Sequence, residues 1–435
     1  MLPAEPVPVH VASRSVAPWR GRRVVLVAIV LVGLNLRLAV AAVSPIFSSL
    51  RETFPVSTTQ VGLLGTIPVA SFALFGTLAA PIGRKLGLEP AIILAMACAV
   101  VGQLARAVAP NMPVFLGWSV LALGGMGMGN VLLPPLVKRY FPDRIGAVTA
   151  SYSVALTLSS AVPPLLALPV ARAAGWRVSV GMWAVVGVAA IVPWIVVIAR
   201  SVASRSHLRE ILRRAPRVDR PALLVRSGAA ESRLVWRSRL GWALVLTFFA
   251  NTTGVYVMFA WLPQILADAG LGTDVGGRWL AVFAILGLPA ALVAPVLTAR
   301  MRNPYSLIAA FVACWIVGYL GLWLSPTNGT AVWMILCGLG PGAFPVQLAL
   351  IGLRTRTPAI ASALSGMVQG LGYALAIAGP IGIGLLHQAT GSWDAPFVVL
   401  LALLVVLLVA GWFACLPTML GDEPSPQPVA APLAQ

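Results

Sequence analysis

Twelve apolar runs, each close to the roughly 20 residues a helix needs to cross a bilayer, constrain this chain more than any other feature. They are Val24–Ser49, Val61–Ile82, Ala91–Ala109, Val114–Val137, Ile145–Ala171, Val178–Ile198, Leu240–Leu266, Trp279–Ala299, Leu307–Leu324, Ala331–Leu353, Ile360–Leu386 and Ala395–Cys415. In hydrocarbon a backbone must satisfy its own polar groups, so runs of this length fold as helices. With 10 % charged residues and a mean hydropathy of +0.93, the pattern predicts an all-α, polytopic membrane protein of 12 spans. The 35 prolines and 41 glycines are compatible with this, because neighbouring helices re-satisfy freed backbone groups.

The net charge of +18 would suggest nucleic acid in a soluble protein, but its distribution points elsewhere. Numbering the gaps alternately, 24 basic residues fall on one side of the membrane and five on the other. That bias places both termini in the cytoplasm and gives nucleic acid no role. Cys98, Cys314, Cys337 and Cys415 all lie inside apolar runs without metal-ligand spacing. They read as small hydrophobes, and neither a metal nor a cofactor is expected.

The charge also divides the chain. Residues 1–23 form a cytoplasmic tail, 24–198 a six-helix bundle, 199–239 a basic linker, 240–416 a second six-helix bundle and 417–435 a disordered tail. Within the linker, Arg205, Arg209, Arg213 and Arg220 are spaced for an amphipathic helix on anionic headgroups, or for a solvated connection. The two bundles repeat. Gly124, Lys138, Pro142, Pro164 and Gly175 have counterparts at Gly340, Arg354, Pro358, Pro380 and Gly391, each 216 positions on, and Ala80-Pro81 matches Ala294-Pro295. Six spans per half means that both halves enter the membrane alike, as a parallel repeat.

Arg37 stands almost midway along the first apolar run, where no other run holds a deep charge. A cation at that depth costs from about 3 to more than 10 kcal/mol, so it is kept to face a cavity or a ligand. All twelve acidic residues fall in tails, loops or run ends, which leaves an anionic or electron-rich ligand as its partner.

Gly76-Thr-Leu-Ala-Ala-Pro-Ile-Gly83-Arg84-Lys85 resembles the signature cytoplasmic loop of the major facilitator superfamily, with Ala80 where that signature carries an acid. The resemblance makes Arg84 and Lys85 candidate gating residues; the simpler account is a positive-inside anchor. More narrowly, Asn35-Leu-Arg37, Gly129-Asn-Val-Leu-Leu-Pro134, Lys138–Arg144, Tyr256 with Ala260-Trp-Leu-Pro263, and Leu364-Ser-Gly-Met-Val-Gln369-Gly-Leu-Gly-Tyr373 are similar to the cyanate and 2-nitroimidazole permease family of that superfamily. The resemblance implies the major facilitator fold, with the cavity lined by spans one, four, seven, ten and eleven.

Polar residues inside those spans either join helices or meet substrate. The candidates for substrate contact are Arg37, Asn35, Asn130, Asn251, Tyr256, Gln347, Gln369 and Tyr373. Gln369 and Tyr373 are four apart and share a helix face. Tyr152 and Gln103 read as structural, and His387 stands near the outer end of span eleven. The expectation is a monomeric inner-membrane transporter, not an enzyme, moving a small anionic or polar nitrogen-containing solute by alternating access. An exporter of drugs or metabolites is the alternative, and a non-transporting membrane sensor a third.

Overall fold

The computed structural model describes residues 22–43, 46, 50, 53–54, 58–200, 231–271 and 273–421. The linker arginines Arg205, Arg209, Arg213 and Arg220, and the tails up to residue 21 and from residue 422, lie outside them. Among the described residues, twelve helices long and apolar enough to cross a membrane run over Arg22–Val40, Thr66–Leu86, Leu88–Ala107, Met112–Tyr140, Ile145–Ala167, Trp176–Arg200, Arg239–Asp268, Arg278–Arg300, Tyr305–Leu324, Thr330–Leu353, Pro358–Thr390 and Asp394–Cys415. These are spans one to twelve below, and no strand occurs among the described residues. The tail expected to be disordered from residue 417 begins in order: Leu420 N–H donates to the Arg354 carbonyl at 2.8 Å and its own carbonyl accepts from Arg356 N–H at 3.2 Å.

Several spans are broken, and proline explains most of the breaks. A proline supplies no N–H to the carbonyl four residues earlier. Pro289 stands four residues after Ile285, where the first helical segment of span eight ends. Pro380 likewise stands four after Ala376, where the first segment of span eleven ends. In span ten Pro341 sits within the 3-10 turn Gly340–Gly342.

Span one breaks without a proline, and here the expectation is corrected. Its helix runs from Arg22 to Asn35, turns at Leu36 and Arg37, and resumes only over Leu38–Ala41. The continuous run to Ser49 is therefore not one helix. Arg37 occupies a kink with φ −126° and ψ −5°, not the middle of a regular turn.

Two apolar cores hold the bundle. One packs Val25, Ile29, Val32, Met96, Leu132, Val148 and Trp194 from the first six spans. The other packs Phe248, Val257, Trp315, Tyr319, Leu364 and Leu404 from the last six, and reaches across to Phe72 and Met126. Between the halves the helices approach through small residues. A Cβ added at Gly366 would stand 2.8 Å from Ala80 Cβ, and one at Gly146 2.7 Å from the Pro295 carbonyl oxygen. Ala80, where the signature carries an acid, is thus part of a close-packed seam.

Candidate functional site

Among the described residues, side-chain hydrogen bonds that join the two halves converge on Arg37. Its Nη1 donates to the Tyr256 hydroxyl at 2.6 Å and its Nη2 to the Tyr373 hydroxyl at 3.1 Å. Asn130 Nδ2 donates to the same Tyr373 hydroxyl at 3.1 Å. Gln369 Nε2 donates to the Asn130 carbonyl at 3.2 Å and to Ser365 Oγ at 2.9 Å. Ser365 Oγ donates in turn to the Val131 carbonyl at 2.7 Å. The spacing explains the geometry: Ser365, Gln369 and Tyr373 recur every four residues and form one stripe of span eleven, laid against span four.

Aromatic rings wall this cluster. The Arg37 guanidinium lies 5.2 Å from the Phe72 ring centre and 5.9 Å from that of Tyr256. Tyr373 meets Phe72 and Phe248 edge to face at 5.3 and 5.0 Å, and Phe248 packs on Phe344. Arg37 and Tyr256 are half-buried, whereas Tyr373, Asn130 and Gln369 are buried. No carboxylate is paired with Arg37 among the described residues, so the phenols take up two of its donors without cancelling its charge. A desolvated cation inside an aromatic box can accept an anion or a flat, electron-rich ring.

The other candidates stand elsewhere. Asn35 does not join Arg37: it ends the first helix, whereas Arg37 lies in the kink beyond it. Its amide lies against Gly187 of span six: a Cβ there would be 2.9 Å from Asn35 Nδ2. Asn251 is 216 positions on, the same offset as the repeat, and is equally buried. Neither amide has a hydrogen-bond partner among the described residues. Gln347 Nε2 donates to the Thr247 carbonyl at 3.3 Å and so ties span ten to span seven within one half. Arg84 and Lys85 are exposed at the end of span two. Burial pushes the Glu231 carboxyl up, and Arg84 nearby partly offsets that.

Of the residues set aside, Gln103 donates to the Ala99 carbonyl of its own helix, and Tyr152 packs its backbone against Gly33. His387 lies at the far end of span eleven, stacked 3.9 Å from Trp393, with Nε2 3.7 Å from Asp268. The charged run Lys138–Arg144 serves the basic end: Arg139 and Tyr140 both bond the buried carboxylate of Glu89, and Asp143 pairs with Arg22 at 3.0 Å.

Sequence reasoning missed two groups. The walls Phe72, Phe248 and Phe344 are indistinguishable in sequence from core residues; Ser365 was legible, since it precedes Gln369 by four. The other is Arg106, counted as a loop charge because it ends span three. It is buried, donates Nη1 to the Ala39 carbonyl at 3.2 Å and lies 5.8 Å from the Phe115 ring centre. It thereby anchors the segment of span one that follows the kink at Arg37.

The major facilitator superfamily model matches residues 26–377. The chain is 32 % identical over 391 residues to the 2-nitroimidazole transporter of Escherichia coli (strain K12), covering 88 % of this chain and 94 % of that one. It is 28 % identical over 374 residues to the cyanate transport protein CynX of the same organism, covering 85 % and 91 %. The solved structure of the proton:xylose symporter XylE bound to 6-bromo-6-deoxy-D-glucose matches with a TM-score of 0.70 at 15 % identity, over 90 % of this chain and 94 % of that one. That likeness shows the fold alone. With twelve helical spans in two parallel sets of six, this multi-pass membrane protein belongs to the major facilitator superfamily and, within it, to the cyanate and 2-nitroimidazole permease family.

Proposed function

We propose that the protein is an inner-membrane permease that moves a small anionic or polar nitrogen-containing solute, cyanate-like or nitroimidazole-like, by alternating access. The observation that carries this reading is the Arg37 guanidinium held by two phenols of the opposite half, with no carboxylate among the described residues to neutralise it. An incoming anion replaces phenol oxygens as acceptor for the guanidinium, and the freed hydroxyls of Tyr256 and Tyr373 turn to donate to it. Charge-assisted bonds of this kind are worth about 1.5–3 kcal/mol each. Because Arg37 and Asn130 belong to one half and Tyr256, Tyr373 and Gln369 to the other, a bound solute draws the halves together.

The positive-inside bias makes the basic end cytoplasmic, and the parallel repeat makes the two halves the rocking units of a monomeric carrier. These bonds between halves lie at or on the basic side of Arg37. On that side every residue from Asn130 to Val137 of span four and from Ile360 to Gly370 of span eleven is buried. This supports a cytoplasmically sealed state that admits solute from outside. Arg84 and Lys85 sit at the end that must open, where the small-residue seam of Ala80 and Gly366 parts.

The test is uptake into proteoliposomes of cyanate, 2-nitroimidazole, 4-hydroxybenzoate and a neutral hexose. Saturable uptake of at least one of the first three, and none of the hexose, is expected. Hexose uptake with none of the others would end this reading.

A further inference from the structure

A second site lies on the membrane-facing side, away from Arg37. Spans seven and twelve run antiparallel and leave between them a groove of about 720 Å³ lined by Trp236, Trp242, Leu246, Val405, Val409 and Phe413 among others. Trp236, Trp242, Leu246, Val405, Val409 and Phe413 are all exposed, although Ala243 and Ala410 at its floor are buried. At the basic end the groove closes against Arg237 and Arg239, both exposed and in no ion pair among the described residues. Trp236 and Trp242 meet edge to face at 6.0 Å, and the Trp242 indole N–H donates to the Trp236 carbonyl at 2.9 Å. The indoles thus form a fixed step between the arginines and the apolar trough.

We propose that this groove binds one anionic phospholipid, its phosphate at Arg237 and Arg239 and an acyl chain along Leu246, Val405 and Val409. The chemistry is graded as a lipid is: cations, then indoles, then aliphatic side chains. Tryptophan favours the headgroup level, and a basic residue near the surface attracts anionic lipid by about 1 kcal/mol. From Phe413 to Val405 span twelve rises about 12 Å, most of the depth of one hydrocarbon leaflet. A second copy of the chain fits less well. A two-fold contact through this face would set the arginine pairs against their own copies. The preceding stretch 200–230 is itself arginine-rich and has no electrostatic attraction to them.

The experiment is native mass spectrometry of the delipidated full chain titrated with phosphatidylglycerol or phosphatidylcholine. Wild type is expected to retain one phosphatidylglycerol in preference to phosphatidylcholine by about tenfold. Arg237→Gln with Arg239→Gln should abolish the preference, and Leu246→Trp, which fills the trough without changing charge, should reduce retention. Arg278→Gln at the opposite end should change neither. Equal retention of the two lipids by wild type, retention of the preference in the folded double variant, or a dimer that Leu246→Trp dissociates would overturn the proposal. If the double variant does not fold, the wild-type preference and the Leu246→Trp result decide it.

Discussion

The Tyr373 hydroxyl accepts from Arg37 Nη2 at 3.1 Å, across 336 positions of sequence and across the boundary between the two halves. One phenol thereby reads the position of span one from span eleven. It also accepts from Asn130 of span four. The oxygen that an anionic solute must displace or recruit is therefore the same oxygen that holds the halves in register.

Arg37→Ala is expected to abolish solute binding while the protein still folds, because it removes an unneutralised cation and not a packing element. Arg37→Lys should restore only part, since an ammonium cannot fork to two phenols. Tyr373→Phe should weaken binding by about five- to tenfold, the worth of one hydrogen bond of roughly 1–1.5 kcal/mol. Isothermal titration in detergent measures all three, and wild-type affinity in Arg37→Ala would remove Arg37 from the site.

Asn35 and Asn130 are both buried amides of the first half, yet they should behave oppositely. Asn35 has neither amide atom bonded, so Asn35→Leu should leave uptake unchanged and thermal stability equal or higher. Asn130→Leu removes a donor to Tyr373 and should lower uptake. A loss of uptake in Asn35→Leu comparable to that in Asn130→Leu contradicts this assignment.

The seam at the basic end should tolerate no side chain. A Cβ at Gly370 meets Thr77 Cγ2 and stands 3.3 Å from the Thr77 backbone nitrogen. Gly370→Val is therefore expected to hold spans two and eleven apart, so that solute still binds but net uptake falls. Cysteine labelling from the cytoplasmic side should rise at Ser362, which faces Gly83 across the same seam. Unchanged uptake and labelling would show that this seam is not what parts.

Transport should need no titrating carboxylate within the membrane, because none lies in a span interior among the described residues and arginine keeps its proton. An anion carried alone should respond to membrane potential at about 2.3 kcal/mol per net charge per 100 mV, and one-for-one anion exchange should cancel that response. Uptake under separately imposed potentials and pH gradients is the measurement. Accumulation of a non-titrating solute driven by a pH gradient would contradict this and direct attention to His387 and Asp268.

At the basic end, slight burial pushes the Asp143 carboxyl up, but the hydrogen bond and charge of Arg22, with help from its own backbone and Arg144, outweigh this and hold it below its ordinary value. A lowered folded-state value stabilises the fold above the unfolded carboxyl range near about pH 3.9 and ceases to do so as pH falls through the folded value. Asp143→Asn should therefore lower the melting temperature slightly at neutral pH, with the difference vanishing in acid. A difference that persists unchanged at low pH would assign the effect to something other than this charge pair.

Length and hydropathy alone determined the spans. A bilayer demands about 20 apolar residues per crossing whatever the neighbours are, so the ends of spans three to twelve fall within a few residues of the apolar runs. The repeat offset and the four-residue spacing of Gln369 and Tyr373 were equally legible, since both are properties of the chain read along itself. Only the tertiary structure decided which polar residues meet. Asn35, two positions from Arg37, faces span six, while Tyr373, 336 positions away, bonds to it. Nothing along the sequence marked the kink that turns Arg37 toward the other half, or the carbonyl of Ala39 that Arg106 takes up beyond it. A helix fixes which residues share a face, but the face that meets a partner is set by how twelve helices pack at once.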